Sequence, residues 1–163
     1  MAISPYIAAL RAKVGTAVIM VPSVSVFPFD AAGRLCLVQT KATGLWQTIG
    51  GAIEPLESPA EAAVREAREE TGLEIELLGV IGVFSGPAFH TVYPNGDECI
   101  YVSTSFRARV VSGEPRADED ETSAVAWFSS EEAAALPMAR ISRYLLSQGF
   151  LHDPACRFGP AAV

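Results

Sequence analysis

Apolar segments in the first third of the chain predict a β-rich beginning. A short helix over residues 4–13 precedes two strand-like segments, residues 18–29 and 34–40. Such runs, rich in Val, Phe and Leu and separated here by Asp-Ala-Ala-Gly, are typical of strands joined by a hairpin-like turn. A third apolar stretch, residues 45–49, runs directly into Gly50-Gly51.

The next segment has helical signals at both ends. Ser58 is a good N-cap, Pro59 suits the first helical position, and Glu61 completes a capping box. Gly72 supplies the left-handed residue that commonly ends a helix, so a helix is predicted over residues 59–71. At about 100° per residue, one face is expected to be buried. It carries Ala60, Ala63, Val64, Ala67 and Thr71.

The second half of the chain returns to strands and ends in helices. Residues 73–84 are strand-like, although Gly79 and Gly82 interrupt the run, and residues 93–98 form a strong turn. The remaining predicted elements are a long strand at 99–111, a polar loop at 112–121, a strand at 124–128, helices near 131–136 and 138–148 (ending at Gly149), and an irregular tail from 152. This order indicates an α+β protein, with residues 1–163 forming one domain.

Three carboxylates lie close together near the end of the predicted central helix. Glu66, Glu69 and Glu70 occupy one arc beside its apolar face. Glu66 and Glu70 are like charges four residues apart, which costs about 0.2–0.5 kcal/mol, so helix stability does not explain them. Converging carboxylates form the hard oxygen site that Mg²⁺ or Mn²⁺ prefers. The alternative is a solvated acidic face, with Arg65 paired to Glu61 and Glu69.

Residues 51–73, GAIEPLESPAEAAVREAREETGL, match a known pattern in full. The chain resembles the Nudix hydrolases, the MutT-like family, whose box has the residue types found here at Gly51, Glu57, Arg65, Glu66, Ala67, Glu69, Glu70, Gly72 and Leu73. The resemblance implies the Nudix fold, a mixed β-sheet sandwiched between α-helices. It implies a core over about residues 18–136, with the N-terminal helix, the C-terminal helix and the tail as extensions. Ile49 stands where the family often has proline.

The resemblance also implies a chemistry. Nudix proteins typically cleave the phosphoanhydride of a nucleoside diphosphate linked to another group, by water attack and with Mg²⁺ or Mn²⁺. By resemblance, the metal ligands would be the Gly50 carbonyl group, Glu66, Glu69 and Glu70. Glu69 would be catalytic, and Glu57 and Arg65 would orient the ligands. A nucleotide-binding sensor module without catalysis is the competing interpretation.

The box pattern does not specify the general base or the residues that contact the substrate. Glu121, in the acidic run from Asp118 to Glu121, is the expected general base, with Glu119 and Glu98 as alternatives; the same run also fits a solvated loop. Aromatic candidates for substrate contact are equally consistent with core or turn packing. They are Trp46, Phe89 and Tyr93, together with His90.

The composition of the chain limits the classes of binding partner that are expected. A net charge of −7 argues against binding a nucleic-acid polymer, so a small nucleotide is the expected partner. The same charge would require the metal to attract an anionic substrate. Cys36 and Cys99 lie in apolar runs and are expected in the core. The absence of a signal-peptide pattern or a membrane span leads us to expect a cytoplasmic protein with no membrane partner. The family resemblance leaves a homodimer open.

Overall fold

The structure, a computed structural model, describes residues 4–118, 120–148 and 157–158. This part of the chain contains four α-helices, namely α1 (Pro5–Val14), α2 (Pro59–Thr71), α3 (Ser130–Ala135) and α4 (Arg140–Ser147). Its strands are β1 (Ile19–Phe29), β2 (Leu35–Thr40), β3 (Trp46–Gln47), β4 (Glu74–Phe84), β5 (His90–Val92), β6 (Glu98–Ser112), β7 (Thr122–Phe128) and β8 (Arg157–Phe158). A 3-10 turn spans Pro87–Phe89.

The strands form one mixed sheet in the order β3-β2-β1-β6-β4-β8, with β7 beside β2 and β5 beside β6. Strands β1 and β6 are parallel, from Ile19 opposite Cys99 to Phe29 opposite Arg109. The β4–β8 pair is also parallel, and the remaining named pairs are antiparallel. The expected mixed sheet is therefore confirmed.

Alternation along the strands places one hydrophobic core on each face of the sheet. In β1, Val24 and Val26 belong to one buried cluster and Phe27 to the other. Side chains of successive strand residues point to opposite faces, so the two clusters lie on opposite sides. Alanines of α2 cover the first cluster, and Leu145 of α4 covers the second. The sheet is thus sandwiched between helices.

Helix α2 begins and ends at the predicted residues. The Ser58 side chain accepts from the Glu61 N–H, the Glu61 carboxylate accepts from the Ser58 N–H, and Gly72 is left-handed with φ 69°. The predicted buried face was partly wrong, because Ala60 is exposed. The buried residues of α2 are Ala62, Ala63, Ala67, Glu70 and Thr71. Their arc centres on the Glu70 side of the helix, so a carboxylate lies in the middle of the buried face.

Several other elements differ from the sequence prediction. The apolar run 45–49 forms only the short strand β3, and Ile49 then makes an isolated bridge with Val26. Strand β4 is continuous, and the expected interruptions at Gly79 and Gly82 are shifts in its register with β6. Strand β5 and the 3-10 turn were not predicted.

The C-terminal tail differs from the sequence prediction, whereas two of the cysteines agree with it. Within the tail that was expected to be irregular, residues 157–158 pair with β4, whereas Gly149 and Cys156 lie outside the described residues. Cys36 and Cys99 are buried free thiols, as expected. None of the helices in the described ranges is both long and apolar enough to span a membrane.

Candidate active site

Two glycines allow the segment before α2 to pass between β1 and the helix. The Val24 N–H donates to the Gly51 carbonyl group at 2.9 Å, which holds the turn against β1. Gly50 has φ 148°, and a Cβ atom there would lie 2.1 Å from the Val24 carbonyl oxygen. A Cβ atom on Gly51 would lie 2.4 Å from Oε1 of Glu66. Gly50 is therefore required by the backbone, and Gly51 leaves room for a carboxylate.

Glu70 and Glu66 are carboxylates held largely away from water. Glu70 is 6% exposed, and its Oε2 accepts a hydrogen bond from the Gly50 N–H at 3.2 Å. Burial, and then the charge of Glu66, raise the pKa of Glu70 well above its ordinary value. Burial also raises the pKa of Glu66, although Arg65 acts in the opposite direction. A bound cation would relieve the cost of keeping both groups charged.

Arg65 connects the acidic residues of the box. Its Nε and Nη2 atoms donate to the two oxygens of Glu57 at 2.8 and 3.0 Å, and Nη2 also donates to the Ala52 carbonyl oxygen. Its Nη1 atom donates to Glu66 at 2.8 Å and to Glu69 at 3.0 Å. All five guanidinium N–H groups are therefore used. The hydrogen bond from Arg65 lowers the pKa of Glu57.

The loop before β7 brings further carboxylates to the same place. Oδ1 of Asp118 accepts hydrogen bonds from the N–H groups of Asp120, Glu121 and Thr122 at 2.9–3.0 Å. Burial of Asp118 works in the other direction, but these hydrogen bonds together lower its pKa. Asp118 and Glu121 lie near enough to Glu70 for their charges to raise its pKa. The ordering role of Asp118 was missed, although an Asp that bonds N–H groups just ahead of it is a recognisable turn signal.

The box helix, the acidic loop and the N-terminal helix surround one open cleft of about 1000 Å³. Helix α1 and the turn between β5 and β6, which carries Asp97, form the side away from the box glutamates and the acidic loop before β7. The residues lining the cleft are Ser4, Pro5, Ile7, Arg11, Val21, Gly51, Ala52, Glu54, Arg65, Glu66, Glu69, Glu70, Tyr93, Pro94, Asn95, Asp97, Cys99, Tyr101, Asp118, Asp120 and Glu121.

The cleft includes some of the sequence candidates and leaves others out. Tyr93 and Glu121 line it. Trp46 packs edge-to-face on Phe128 at 4.7 Å, outside the cleft lining, in the core cluster on the α4 side. Phe89 is fully buried in the same cluster. These two aromatic side chains therefore serve packing in this conformation.

The remaining candidates lie elsewhere. His90 pairs with Glu98 at 2.9 Å, and neither residue lines the cleft. This pair crosses between neighbouring strands β5 and β6, so the Glu98 carboxylate is directed to its own strand partner. Glu119 lies outside the described residues.

The donor set suits a hard divalent cation. Carboxylate oxygens and backbone carbonyl groups are the ligands that Mg²⁺ and Mn²⁺ prefer, and two of the carboxylates here are largely buried beside a glycine turn. Among the described residues, no three acidic, His or Cys side chains are already grouped to hold a metal ion. Arg65 accounts for part of this, because it engages the carboxylates of Glu66 and Glu69.

Comparison with known proteins agrees with this arrangement. The model of the NUDIX domain matches residues 20–148. The chain therefore belongs to the Nudix family. The match includes α4, which the sequence had suggested was an extension, and leaves α1 outside.

The chain spans only about a third to three fifths of the length of two curated relatives, and nearly the whole of one similar solved structure. The chain is 38% identical over 96 residues to a Bacillus subtilis (strain 168) protein named "Putative 8-oxo-dGTP diphosphatase", which covers 59% of this chain and 58% of that protein. It is 36% identical over 104 residues to the NAD-capped RNA hydrolase NudC of Pseudomonas aeruginosa, covering 63% of this chain and 34% of that one. The crystal structure of a MutT NUDIX hydrolase from Burkholderia pseudomallei is similar, with a TM-score of 0.66 and 26% identity, over 80% of this chain and 98% of that one.

Proposed function

We propose that this protein hydrolyses the phosphoanhydride bond of a nucleoside diphosphate linked to another group, with a divalent metal ion. The observation that carries the proposal is the pair Glu66 and Glu70, two largely buried carboxylates beside the Gly50-Gly51 turn. Leaving such a pair charged and uncompensated is costly, and a cation offsets that cost. The family membership of the chain supports the same reaction.

The overall charge of the cleft supports a need for metal. Eight carboxylates but two arginines are among its lining residues, and both arginines are engaged in contacts with the protein. A polyphosphate would be repelled by such a surface unless cations were bound. The ion we propose is Mg²⁺ or Mn²⁺, with Glu66, Glu69, Glu70 and the Gly50 carbonyl group as its ligands. When bound, it would neutralise pyrophosphate oxygens and lower the pKa of a water molecule.

The remaining residues have separate roles in the proposal. Arg65 and Glu57 orient Glu66 and Glu69, because the Arg65 guanidinium bonds both of these and is itself fixed by Glu57. Glu121 accepts the proton from the attacking water. Its position in the cleft, on a loop ordered by Asp118, supports this assignment over Glu98, which pairs with His90 outside the cleft.

Two substrate classes fit the proposed reaction. A nucleoside triphosphate, including an oxidised one, would yield a monophosphate and pyrophosphate; a dinucleotide such as ADP-ribose or NADH would yield two monophosphates. The names of the two relatives refer to an oxidised nucleoside triphosphate, 8-oxo-dGTP, and to an NAD-capped RNA. The competing function, a nucleotide sensor without catalysis, is disfavoured because every box glutamate is retained.

The test is a hydrolysis panel of canonical and oxidised nucleoside triphosphates, ADP-ribose, NADH, diadenosine polyphosphates and nucleotide sugars. Each would be incubated with Mg²⁺ or Mn²⁺, products resolved by chromatography, and the Glu70→Gln variant used as the blank. We expect metal-dependent cleavage of one class, at least about 100-fold above the blank, because orienting residues alone are worth 10–100-fold. No cleavage by the folded, metal-binding protein would favour the sensor.

A further inference from the structure

Helix α1 lies outside the matched NUDIX domain and yet forms a wall of the cleft. The family match begins at residue 20, whereas α1 spans Pro5–Val14. Ser4, Pro5, Ile7 and Arg11 nevertheless line the cleft together with the box glutamates. None of the α1 residues is buried, so this helix adds little to the core. Its position indicates a role in the cleft rather than in the core.

The Arg11 side chain connects α1 to the sheet. Arg11 donates from Nη2 to the Glu98 carbonyl oxygen at 2.6 Å and to Sγ of Cys99 at 3.2 Å. Its Nη1 donates to the Gly15 and Ala17 carbonyl oxygens, and its Nε lies 3.6 Å from Asp97. The Arg11 side chain is 9% exposed as a result. Arg11 therefore clamps α1 to the turn between β5 and β6.

The wall formed by α1 lies at the opposite end of the cleft from the box. Tyr101 of β6 pairs with Val21 on one side of β1, while Ala52 bridges to Ser23 on the other side. Neighbouring strands are about 4.8 Å apart, so the two sides are separated by about 10 Å. The hydrogen bonds agree with this separation. The Tyr93 and Tyr101 hydroxyl groups bond each other at one end, whereas Arg65 bonds Glu66 at the other.

The chemistry of the α1 end suits a flat, uncharged group. Most of its lining residues are apolar or aromatic, and the two charged ones, Arg11 and Asp97, lie 3.6 Å from each other. The Tyr93 and Tyr101 hydroxyl groups are hydrogen-bonded to each other at 2.5 Å, and both residues are half-buried in the cleft lining. The apolar and aromatic lining residues at this end include Ile7, Val21, Tyr93, Pro94 and Tyr101.

We propose that α1 is a specificity element, and that the nucleotide base binds between Ile7 of α1 and Tyr93 of the β5–β6 turn. This inference rests on the proposed function, because it assumes a nucleotide whose phosphates lie at the box. Arg11 sets the width of the gap, since it ties α1 to the turn. The gap selects among bases by size.

The test narrows the gap from the α1 side. Ile7→Trp places a larger side chain at the base end, and Ala8→Trp places the same side chain on the exposed face of α1 as a matched control. Binding of AMP, GMP, CMP and UMP in the presence of Mg²⁺ would be measured by isothermal titration calorimetry. We expect Ile7→Trp to weaken binding of the purine nucleotides on the order of tenfold and the control to change nothing. Circular dichroism melting would verify that both variants fold.

Kinetics on an accepted substrate then separate this inference from the proposed function. Ile7→Trp should raise KM and leave kcat nearly unchanged, because the phosphates are untouched. Hydrolysis by the wild type with unaltered binding and KM in Ile7→Trp would overturn the role of α1 and leave the function standing. If Ile7→Trp weakens nucleotide binding but the wild type hydrolyses no nucleotide, the role of α1 stands and the proposed function is overturned. If Ile7→Trp does not fold, Ile7→Ala replaces it and should bring the affinities for purine and pyrimidine nucleotides closer together. An unchanged ratio of these affinities would contradict the proposal.

Discussion

The carboxylate of Glu70 accepts a hydrogen bond from the backbone N–H of Gly50 at 3.2 Å, across 20 residues of sequence. This contact joins the end of the box helix to the turn that precedes it. It also buries a carboxylate at the centre of the packed face of α2, where an apolar residue would normally lie. The site is therefore assembled at a cost to the stability of the metal-free protein.

The first prediction concerns the pH dependence of that cost. Burial raises the pKa of Glu70 above 4.5, so the folded protein holds this proton more tightly than the unfolded chain does. The stabilisation from protonated Glu70 is fully present below the unfolded-state pKa and is lost as pH rises through the folded-state pKa. Glu70→Gln should therefore gain stability over the metal-free wild type as pH increases.

Urea unfolding of both proteins in EDTA, from about pH 4.5 to about pH 8, measures this difference over the pH range in which the proton is lost. Glu69→Gln is the matched control, because it makes the same substitution at a neighbouring carboxylate whose side chain is 58% exposed. A Glu70→Gln difference that stays constant across the range would contradict the prediction.

The second prediction is that Arg65→Lys impairs the site although it keeps the charge. A lysine ammonium cannot reproduce the fork that bonds Glu57, Glu66 and Glu69. We expect a loss of about 1–3 kcal/mol in the free energy of unfolding, and a kcat/KM lower by about 10–100-fold. Arg68→Lys is the matched control on the same helix. Arg68 pairs with Glu74 at the surface and should change stability by less than about 0.5 kcal/mol. Equal effects of the two variants would refute the special role of Arg65.

The third prediction separates the two glycines of the turn. A Cβ atom at Gly50 would collide with the Val24 backbone, so Gly50→Ala should destabilise by about 3 kcal/mol, the upper end of the cost of a strained backbone. A Cβ atom at Gly51 would meet the carboxylate of Glu66, which can rotate away. Gly51→Ala should therefore fold and lose metal affinity. Thermal melting with and without Mg²⁺ tests this, and the prediction is wrong if Gly51→Ala proves the less stable variant.

The fourth prediction tests the assigned base. Glu121→Gln should lower kcat about 10²–10⁴-fold and change KM little, because proton acceptance matters only during the reaction. Glu98→Gln should leave both constants near wild type, since Glu98 pairs with His90 outside the cleft. Steady-state kinetics at saturating Mg²⁺ compare the two. A loss of kcat in Glu98→Gln alone would assign the role of general base to Glu98 instead of Glu121.

The fifth prediction concerns Leu56, a fully exposed residue with φ 72° in the turn between Glu54 and Glu57. A left-handed conformation costs an L-residue about 1–2 kcal/mol, which glycine avoids. The greater freedom of glycine in the unfolded chain offsets part of that gain. Leu56→Gly should raise the free energy of unfolding by up to about 1 kcal/mol. Leu56→Ala keeps the Cβ atom and should show no such gain, so chemical denaturation of the pair decides the question.

Local chemistry made much of this molecule predictable. The bounds of α2 follow from Ser58, Glu61 and Gly72, because capping depends on residues within one turn of each end. The contact between Arg65 and Glu69 follows from helical spacing for the same reason. Alternation and turn residues likewise located most strands. The box pattern, which is also local, was enough to predict the family and its mixed sheet.

Contacts between distant segments were not predictable in this way. Trp46 and Phe89 were candidates because of their position in the sequence, yet packing against α4 places both outside the cleft. Glu70 was expected beside the apolar face of α2 and not within the buried one, where the structure places it against the Gly50-Gly51 turn. The helical pattern shows which residues share a face, but the burial of that face depends on what packs against it.

The sequence by itself therefore determined the box helix, its caps and the carboxylates that it carries, because these depend on spacing within about 20 residues. Only the tertiary structure decided which carboxylates are buried and that the loop bearing Glu121 lies near Glu70. It also decided that α1 closes the far end of the cleft through Arg11. These relationships depend on how strands pair across the sheet, and that pairing joins residues too far apart for a local pattern to record.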